Sequence, residues 1–315
     1  MIVKTVHTQE DKSSLAVSTL SVDLLNDFFA YLDVAPKTLQ AYQKSLRQVF
    51  RYFSEQGISR PCQQDIINFK RGLEAKKRKP STIALYLSAC RRFFSWTEQR
   101  GIFPNIANGV KAPRQERGHK RDFFGAEQLK QILSGMKRLS LKQKRDFAIM
   151  AVLSSCGLRT IELSRANIED VRNVGGQMLF YVQGKGRKEK AEFVKLPEPV
   201  YQAISDYLSA RGGIIKDDEP LFASIGNRNQ GGRITTRTIS MIAKTAMRKS
   251  GYNSRRLTAH SLRHSAVTLA LLQGNSIQDV QAFARHANIN TTEIYSHAVD
   301  RMRSTCEASI AHLIF

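Results

Sequence analysis

The sequence predicts a mostly α-helical chain with a small β-hairpin, divided into two domains. Three observations carry this. Apolar residues recur at helical spacing through residues 18–100, and the same spacing returns after residue 122. Between the later helices stand two β-rich runs joined by a basic, Gly-containing turn. The length, 315 residues, suits two domains that each bury a core better than one small domain.

The first helical unit is read from its stripes. In PKTLQAYQKSLRQVFRYFSEQG, residues Leu39, Tyr42, Leu46, Val49, Phe50 and Phe53 share one face, and Gly57 stands just past the end as a stop. STIALYLSACRRFFSWTEQRG repeats the pattern with Ile83, Leu87, Cys90, Phe94 and Thr97. Ser81 is the expected N-cap and Gly101 the expected stop. Shorter helices near 21–32 and 63–75 complete a four-helix unit. The expected organisation is a short polar arm (1–17), a helical domain (18–110), a basic linker (111–121) and a second domain with a C-terminal tail (122–315). The linker KAPRQERGHKR holds a proline, a glycine and five Lys or Arg, with no apolar period. In the second domain, GAEQLKQILSGM and LKQKRDFAIMAVLSSCG read as helices. MLFYV, the turn QGKGRKEK and AEFVKL form the hairpin, and helices follow to the end.

Charge narrows the function. Lys and Arg number 49 against 27 acids, a net charge of +22. Such an excess opposes compactness by self-repulsion and calls for a polyanionic partner, nucleic acid before a membrane surface. No stretch approaches the ~18 apolar residues of a membrane helix, and the N-terminus has no secretory pattern. The four cysteines, Cys62, Cys90, Cys156 and Cys306, form no C-x-x-C pair and there is no H-E-x-x-H, so a zinc site is not expected. The thiols read as reduced, in a cytosolic protein.

Four signatures then fall in order: CGLRTIEL with Arg159 and Glu162; GKGRK with Lys185; HSLRH with His260 and Arg263; RHANINTTEIYSH with His286 and Tyr295. Each alone is ordinary. Together they match what breaking a phosphodiester without a metal requires. A phenol can attack phosphorus, but its ordinary pKa near ~10 means that it needs help. Two guanidiniums can hold the nonbridging oxygens at any working pH. A lysine can protonate the leaving 5′-oxygen, and two histidines can assist proton movement. A covalent intermediate splits one hard displacement into two easier ones.

This pattern resembles the tyrosine recombinase, or phage integrase, family. The resemblance covers the order of all six positions, the nine-residue interval from His286 to Tyr295, and Glu162 three residues after the first arginine. It extends to the helical first half and to the passage GIFPNIANGVKAPR. It implies a four-helix core-binding domain and an α+β catalytic domain forming a C-shaped clamp on DNA. The short arm points to the two-domain, Xer-like or mobile-element type. The implied activity is site-specific recombination through a covalent 3′-phosphotyrosyl link, with no cofactor, metal or ATP. A type IB topoisomerase-like relaxing enzyme is the alternative, and a non-catalytic DNA-binding protein a third. By resemblance Tyr295 is the nucleophile, Arg159 and Arg263 hold the phosphate, and Lys185 is the general acid, with Lys188 a substitute. His260 and His286 support phosphate and proton transfers, and Glu162 orients its neighbours. One departure stands out. The family usually has Leu-Gly before the second histidine, whereas this chain has Ala284 and Arg285, so the turn there is expected to differ.

Lys70 to Lys79 contain six basic residues just before a helix start, a natural phosphate site. The expected DNA contacts are Lys76, Lys77, Arg78, Lys79, Ser81, Thr82 and Arg91, with Lys188. The implied partner is double-stranded DNA with an inverted-repeat core site, bound by a homotetramer spanning two sites and formed from monomers. No membrane partner is expected, and the implied location is the cytoplasm, on the nucleoid. The apolar tip Ile310, Leu313, Ile314 and Phe315 either packs on its own domain or docks on a neighbouring protomer, the second being favoured.

Overall fold

The structure, a computed structural model, describes residues 21–114, 122–184, 189–213, 216–226 and 229–315. The chain divides into two compact units, residues 1–117 and 118–315.

The first unit consists, among the described residues, of α1 (Val22–Tyr31), α2 (Pro36–Glu55), α3 (Gln63–Ala75) and α4 (Pro80–Gln99). α4 is the central element, packed on α2 and α3. Its buried face carries Ile83, Leu87, Cys90, Phe93, Phe94 and Thr97. Phe93 meets Phe28 of α1 edge-on at 5.2 Å and Phe50 of α2 at 5.6 Å, geometry that aromatic quadrupoles favour. Gly57 and Gly101 have φ of 65°, the left-handed position that stops α2 and α4. The expected cap at Ser81 is corrected. Lys79 is the N-cap and Pro80 opens the helix, because proline lacks an N–H that would be orphaned there and its φ is already helical.

The second unit holds α5 (Ala126–Ser134), α6 (Leu141–Ser155), α7 (Thr160–Arg165), α8 (Glu198–Arg211), α9 (Thr236–Lys249), α10 (Ala259–Leu272), α11 (Ile277–Ala284), α12 (Asn290–Arg303) and α13 (Cys306–Ile314). α6 is buried continuously from Ala148 to Ser154 and packs on α8 and α10. A helix apolar on every side belongs at the centre. α10 is likewise buried from Ser261 to Thr268. This is how Arg263 comes to sit inside the unit.

Among the described residues the sheet has three antiparallel strands rather than the expected two: β1 (Val171–Val174), β2 (Gln177–Val182) and β3 (Glu192–Lys195), in the order β1-β2-β3. Phe180 pairs with Val171 on one side and Val194 on the other. Gly175 and Gly176, both at positive φ, make the two-residue turn that matches strand twist. The basic turn after β2 lies largely outside the described residues, as does most of the 111–121 linker.

α13 has no buried residue; Leu313 is 86% exposed and Phe315 fully so. Among the described residues, the apolar tip therefore does not pack into its own core.

Phe93→Ala removes a fully buried ring at the meeting point of three helices, and is expected to destabilise the first unit by about 3–5 kcal/mol. The check is the urea midpoint. A loss under about 1 kcal/mol would mean that this ring is not central to the core.

Candidate active site

The signature residues converge in the second unit from four places in the chain. Arg159 is the N-cap of α7, with φ −81° and ψ 146°. His260, Arg263 and His264 lie on α10, His286 in the turn after α11, and Tyr295 on α12. Lys185 and Lys188 lie outside the described residues. Gly184, just before them, is held through its carbonyl by Arg165 of α7 at 3.3 Å.

Glu162 organises the arginines. Its carboxylate is buried (1% exposed). Oε1 accepts from the Arg159 guanidinium at 2.7 Å, while Oε2 accepts from the Arg159 backbone N–H at 2.9 Å and from Arg285 at 2.9 Å. Burial raises the pKa of this acid, but the charge of Arg285 and the bonds from Arg159 outweigh it and hold Glu162 below the usual carboxylate range. Glu162 is thus an anion that holds Arg159 and Arg285, and its lowered pKa makes it a poor base.

Arg263 is 1% exposed. Its guanidinium donates to the carbonyls of Gly157 and Ala284, two of its five donors. Burial and the positive charges of Arg159 and Arg285 bring its pKa down to about 9, so it still carries its charge at neutral pH. Gly157 is required here. Its φ is +58°, and a Cβ would sit 3.0 Å from the Phe283 ring.

Tyr295 is 4% exposed, and its hydroxyl is hydrogen-bonded to Nδ1 of His264. The His264 and Tyr295 rings lie 5.1 Å apart, and the His286 ring stacks near Tyr295 at 6.2 Å. His260 is exposed and meets His264 edge-on at 4.4 Å. His286 Nδ1 pairs with Thr292 Oγ1 at 2.9 Å. His264 was missed at the level of sequence. The signal was present, since His264 follows Arg263 directly and lies four residues, one helical turn, after His260. Only the crossing of α10 with α12 assigns it to the tyrosine.

The first unit places the expected DNA contacts as follows. Lys76, Lys77, Arg78, Lys79 and Ser81 are exposed around the α3–α4 turn, and Thr82 is half-buried. Arg91 is turned inward, donating to the Val110 carbonyl at 2.6 Å.

Comparison with known proteins decides the family. Residues 122–302 match the phage integrase family, and residues 25–101 match the phage integrase N-terminal SAM-like domain. The chain belongs to the phage integrase family, the tyrosine site-specific recombinases. The recombinase is 33% identical over 282 residues to the tyrosine recombinase XerC of Haemophilus influenzae, spanning 87% of this chain and 92% of that relative. It is 32% identical over 289 residues to XerC of Salmonella typhi, covering 88% and 91%. Its fold is similar to that of the XerH site-specific recombinase bound to palindromic difH substrate (TM-score 0.74, 21% identity, 87% and 80% covered). It is also similar to a lambda integrase (75–356) dimer bound to a COC′ core site (TM-score 0.68, 18% identity, 87% and 97% covered).

One pH dependence follows from the recombinase's site. Burial, then the charges of Arg263, Arg159 and Arg285, push His286 down to about 4 from its ordinary ~6.5. Between these values the unfolded chain binds the proton and the folded one does not, so stability falls as pH drops from about 6.5 to about 4. His286→Gln is expected to flatten the urea midpoint across that window. An equally steep profile in the variant would contradict the assignment.

Proposed function

We propose that this recombinase cuts and rejoins DNA through Tyr295, forming a 3′-phosphotyrosyl link. The observation that carries the reading is the buried Tyr295 hydroxyl, bonded to His264 and set beside His286 within a group of arginines. The Tyr295 oxygen attacks phosphorus as the bond to the 5′-oxygen breaks. The phenolic proton passes to Nδ1 of His264, and a proton is delivered to the leaving oxygen. Arg159 and Arg263 stabilise the charge that develops on the nonbridging oxygens, which is where preorganised donors act most strongly. His260 and His286 support the phosphate and the proton transfers. Lys185 is the proposed acid for the 5′-oxygen, with Lys188 as substitute, on the strength of the sequence pattern. The link conserves the energy of the diester, so rejoining needs no ATP, and the guanidinium charge does the work a metal does elsewhere.

The proposed substrate is double-stranded DNA with an inverted-repeat core site. Its names among relatives support this: XerH is described on a palindromic substrate and lambda integrase on a core site. The exposed cluster Lys76 to Lys79, with Ser81 and Thr82, is the proposed grip on the phosphate backbone, which positions the protein without reading sequence. The proposed assembly is a homotetramer on two sites, built from monomers through the uncovered α13. Among the described residues no helix is long and apolar enough to cross a membrane. The proposed location is the cytoplasm, on the nucleoid.

Duplexes from a random library, nicked so that the cut end diffuses away, should trap a covalent adduct in EDTA, and sequencing the trapped DNA reads the site. Tyr295→Phe should abolish the adduct; an adduct on the variant would overturn the nucleophile. His264→Ala should slow adduct formation by on the order of 10²-fold. Relaxation by a monomer of plasmids lacking any trapped site would favour the topoisomerase reading.

Leu313→Asp with Phe315→Asp should leave the melting temperature unchanged, since both residues are exposed. The double variant should also remain a monomer or dimer on DNA in sedimentation. Tetramers on DNA would count against assembly through α13.

A further inference from the structure

Arg285 departs from the small residue usual before this histidine, and its placement is costly on two counts. It occupies the left-handed region, φ 53°, at the end of α11. The Arg285 N–H bonds to the Ala282 carbonyl at 3.0 Å and the His286 N–H to the Gln281 carbonyl at 3.1 Å, the helix stop that normally takes glycine. Arginine thus takes the left-handed conformation that glycine adopts most readily. Its side chain, instead of reaching solvent, is buried (8% exposed), and its Nε has no hydrogen-bond partner.

What it holds explains the placement. The guanidinium donates to the Glu162 carboxylate at 2.9 Å, to the Gly157 carbonyl at 3.2 Å and to the Phe283 carbonyl at 2.7 Å. Gly157 is the same carbonyl that Arg263 binds. The Arg285 carbonyl in turn accepts from Arg159 at 3.3 Å. One residue thus bonds to Arg159, to the carboxylate that aims Arg159, and to the carbonyl that seats Arg263.

We propose that Arg285 is a positioning residue of the active site. It fixes Arg159 and Arg263 relative to each other and adds a third positive charge from behind, without touching DNA. This rests on the recombinase reading. Three guanidiniums face one carboxylate here, leaving two positive charges. A pentacoordinate transition state formed from a phosphodiester carries two negative charges, so the site matches the transition state better than the singly charged ground state. The same charge helps keep His286 neutral. The groups that face His286 are Arg263 and His260 from α10, Arg159 from α7, Arg285 in its own turn, and Thr292 and Tyr295 from α12.

Arg285→Gly and Arg285→Lys test this in the full chain. The glycine variant suits the turn and should stay folded. Its His286 midpoint, read by NMR without DNA, should rise toward the ordinary histidine value, though only part of the way, since burial, Arg263 and Arg159 each depress it more than Arg285 does. Its adduct rate, on a nicked duplex bearing the trapped site, should fall at least tenfold. The lysine variant keeps the charge but not the fork, so the midpoint should return to the wild-type value and the rate recover only in part. An unchanged midpoint and a rate within twofold of wild type in the glycine variant would overturn the proposal. If the glycine variant unfolds, the lysine variant decides: a wild-type adduct rate would overturn the proposal. Failure of the wild-type chain to form any adduct would sink the recombinase reading, while the His286 midpoint would still report whether Arg285 acts on the site.

Discussion

Glu162 sits where Arg159 and Arg285 meet, and the geometry of the site depends on that contact. A carboxylate taken out of water is costly to leave unpaired, and three guanidiniums brought together repel one another. Each problem offsets the other. The carboxylate gains bonds on both oxygens, and the arginines gain an anion that their positions share. Breaking a buried pair by removing one partner typically costs about 3–5 kcal/mol, because a charge is left behind without compensation. The placement of the arginines and local stability are therefore one arrangement in this chain.

The surrounding fold makes that arrangement affordable. α6 and α10 are core helices, so the polar residues carried by α10 are held by packing on several sides. Ser265 of α10 accepts the Phe124 N–H at 2.7 Å, tying the entry of the second unit to the helix that carries Arg263. α7 is only six residues long and α11 eight, and Arg159 and His286 sit at the ends of these short elements rather than within them. Short elements have little internal cooperativity, which leaves their register to the polar contacts at the site itself.

Much of this was legible in the sequence, for identifiable reasons. The helical stripes of α2 and α4 announced the first unit because aromatic residues mark one face at period 3.6. The hairpin of β2 and β3 showed in its β-branched and aromatic runs. β1 was missed because Val171–Val174 is short and mostly exposed, although the Gly175–Gly176 turn was available to reveal it. The order of Arg159, His260, Arg263, His286 and Tyr295 was readable because each lies in a dense local motif. His264 was not read because its role depends on two helices meeting thirty-one residues apart in sequence. Arg285 was visible as an oddity, but only its burial against Glu162 and Gly157 gave the oddity a direction. Ser81 shows the opposite failure, where a good capping residue yields to a proline one position earlier.

The cysteines lend themselves to a use unrelated to catalysis. Cys90 and Cys156 are buried, and burial pushes both thiols up to about 12, so neither forms a thiolate under ordinary conditions. Cys62 and Cys306 are exposed, one in each compact unit. Nature has thus left a selective pair of attachment points for maleimide dyes in the unaltered chain. Energy transfer between them would report the separation of the two units in solution, before and after a duplex is added, with no engineered residue to perturb either fold.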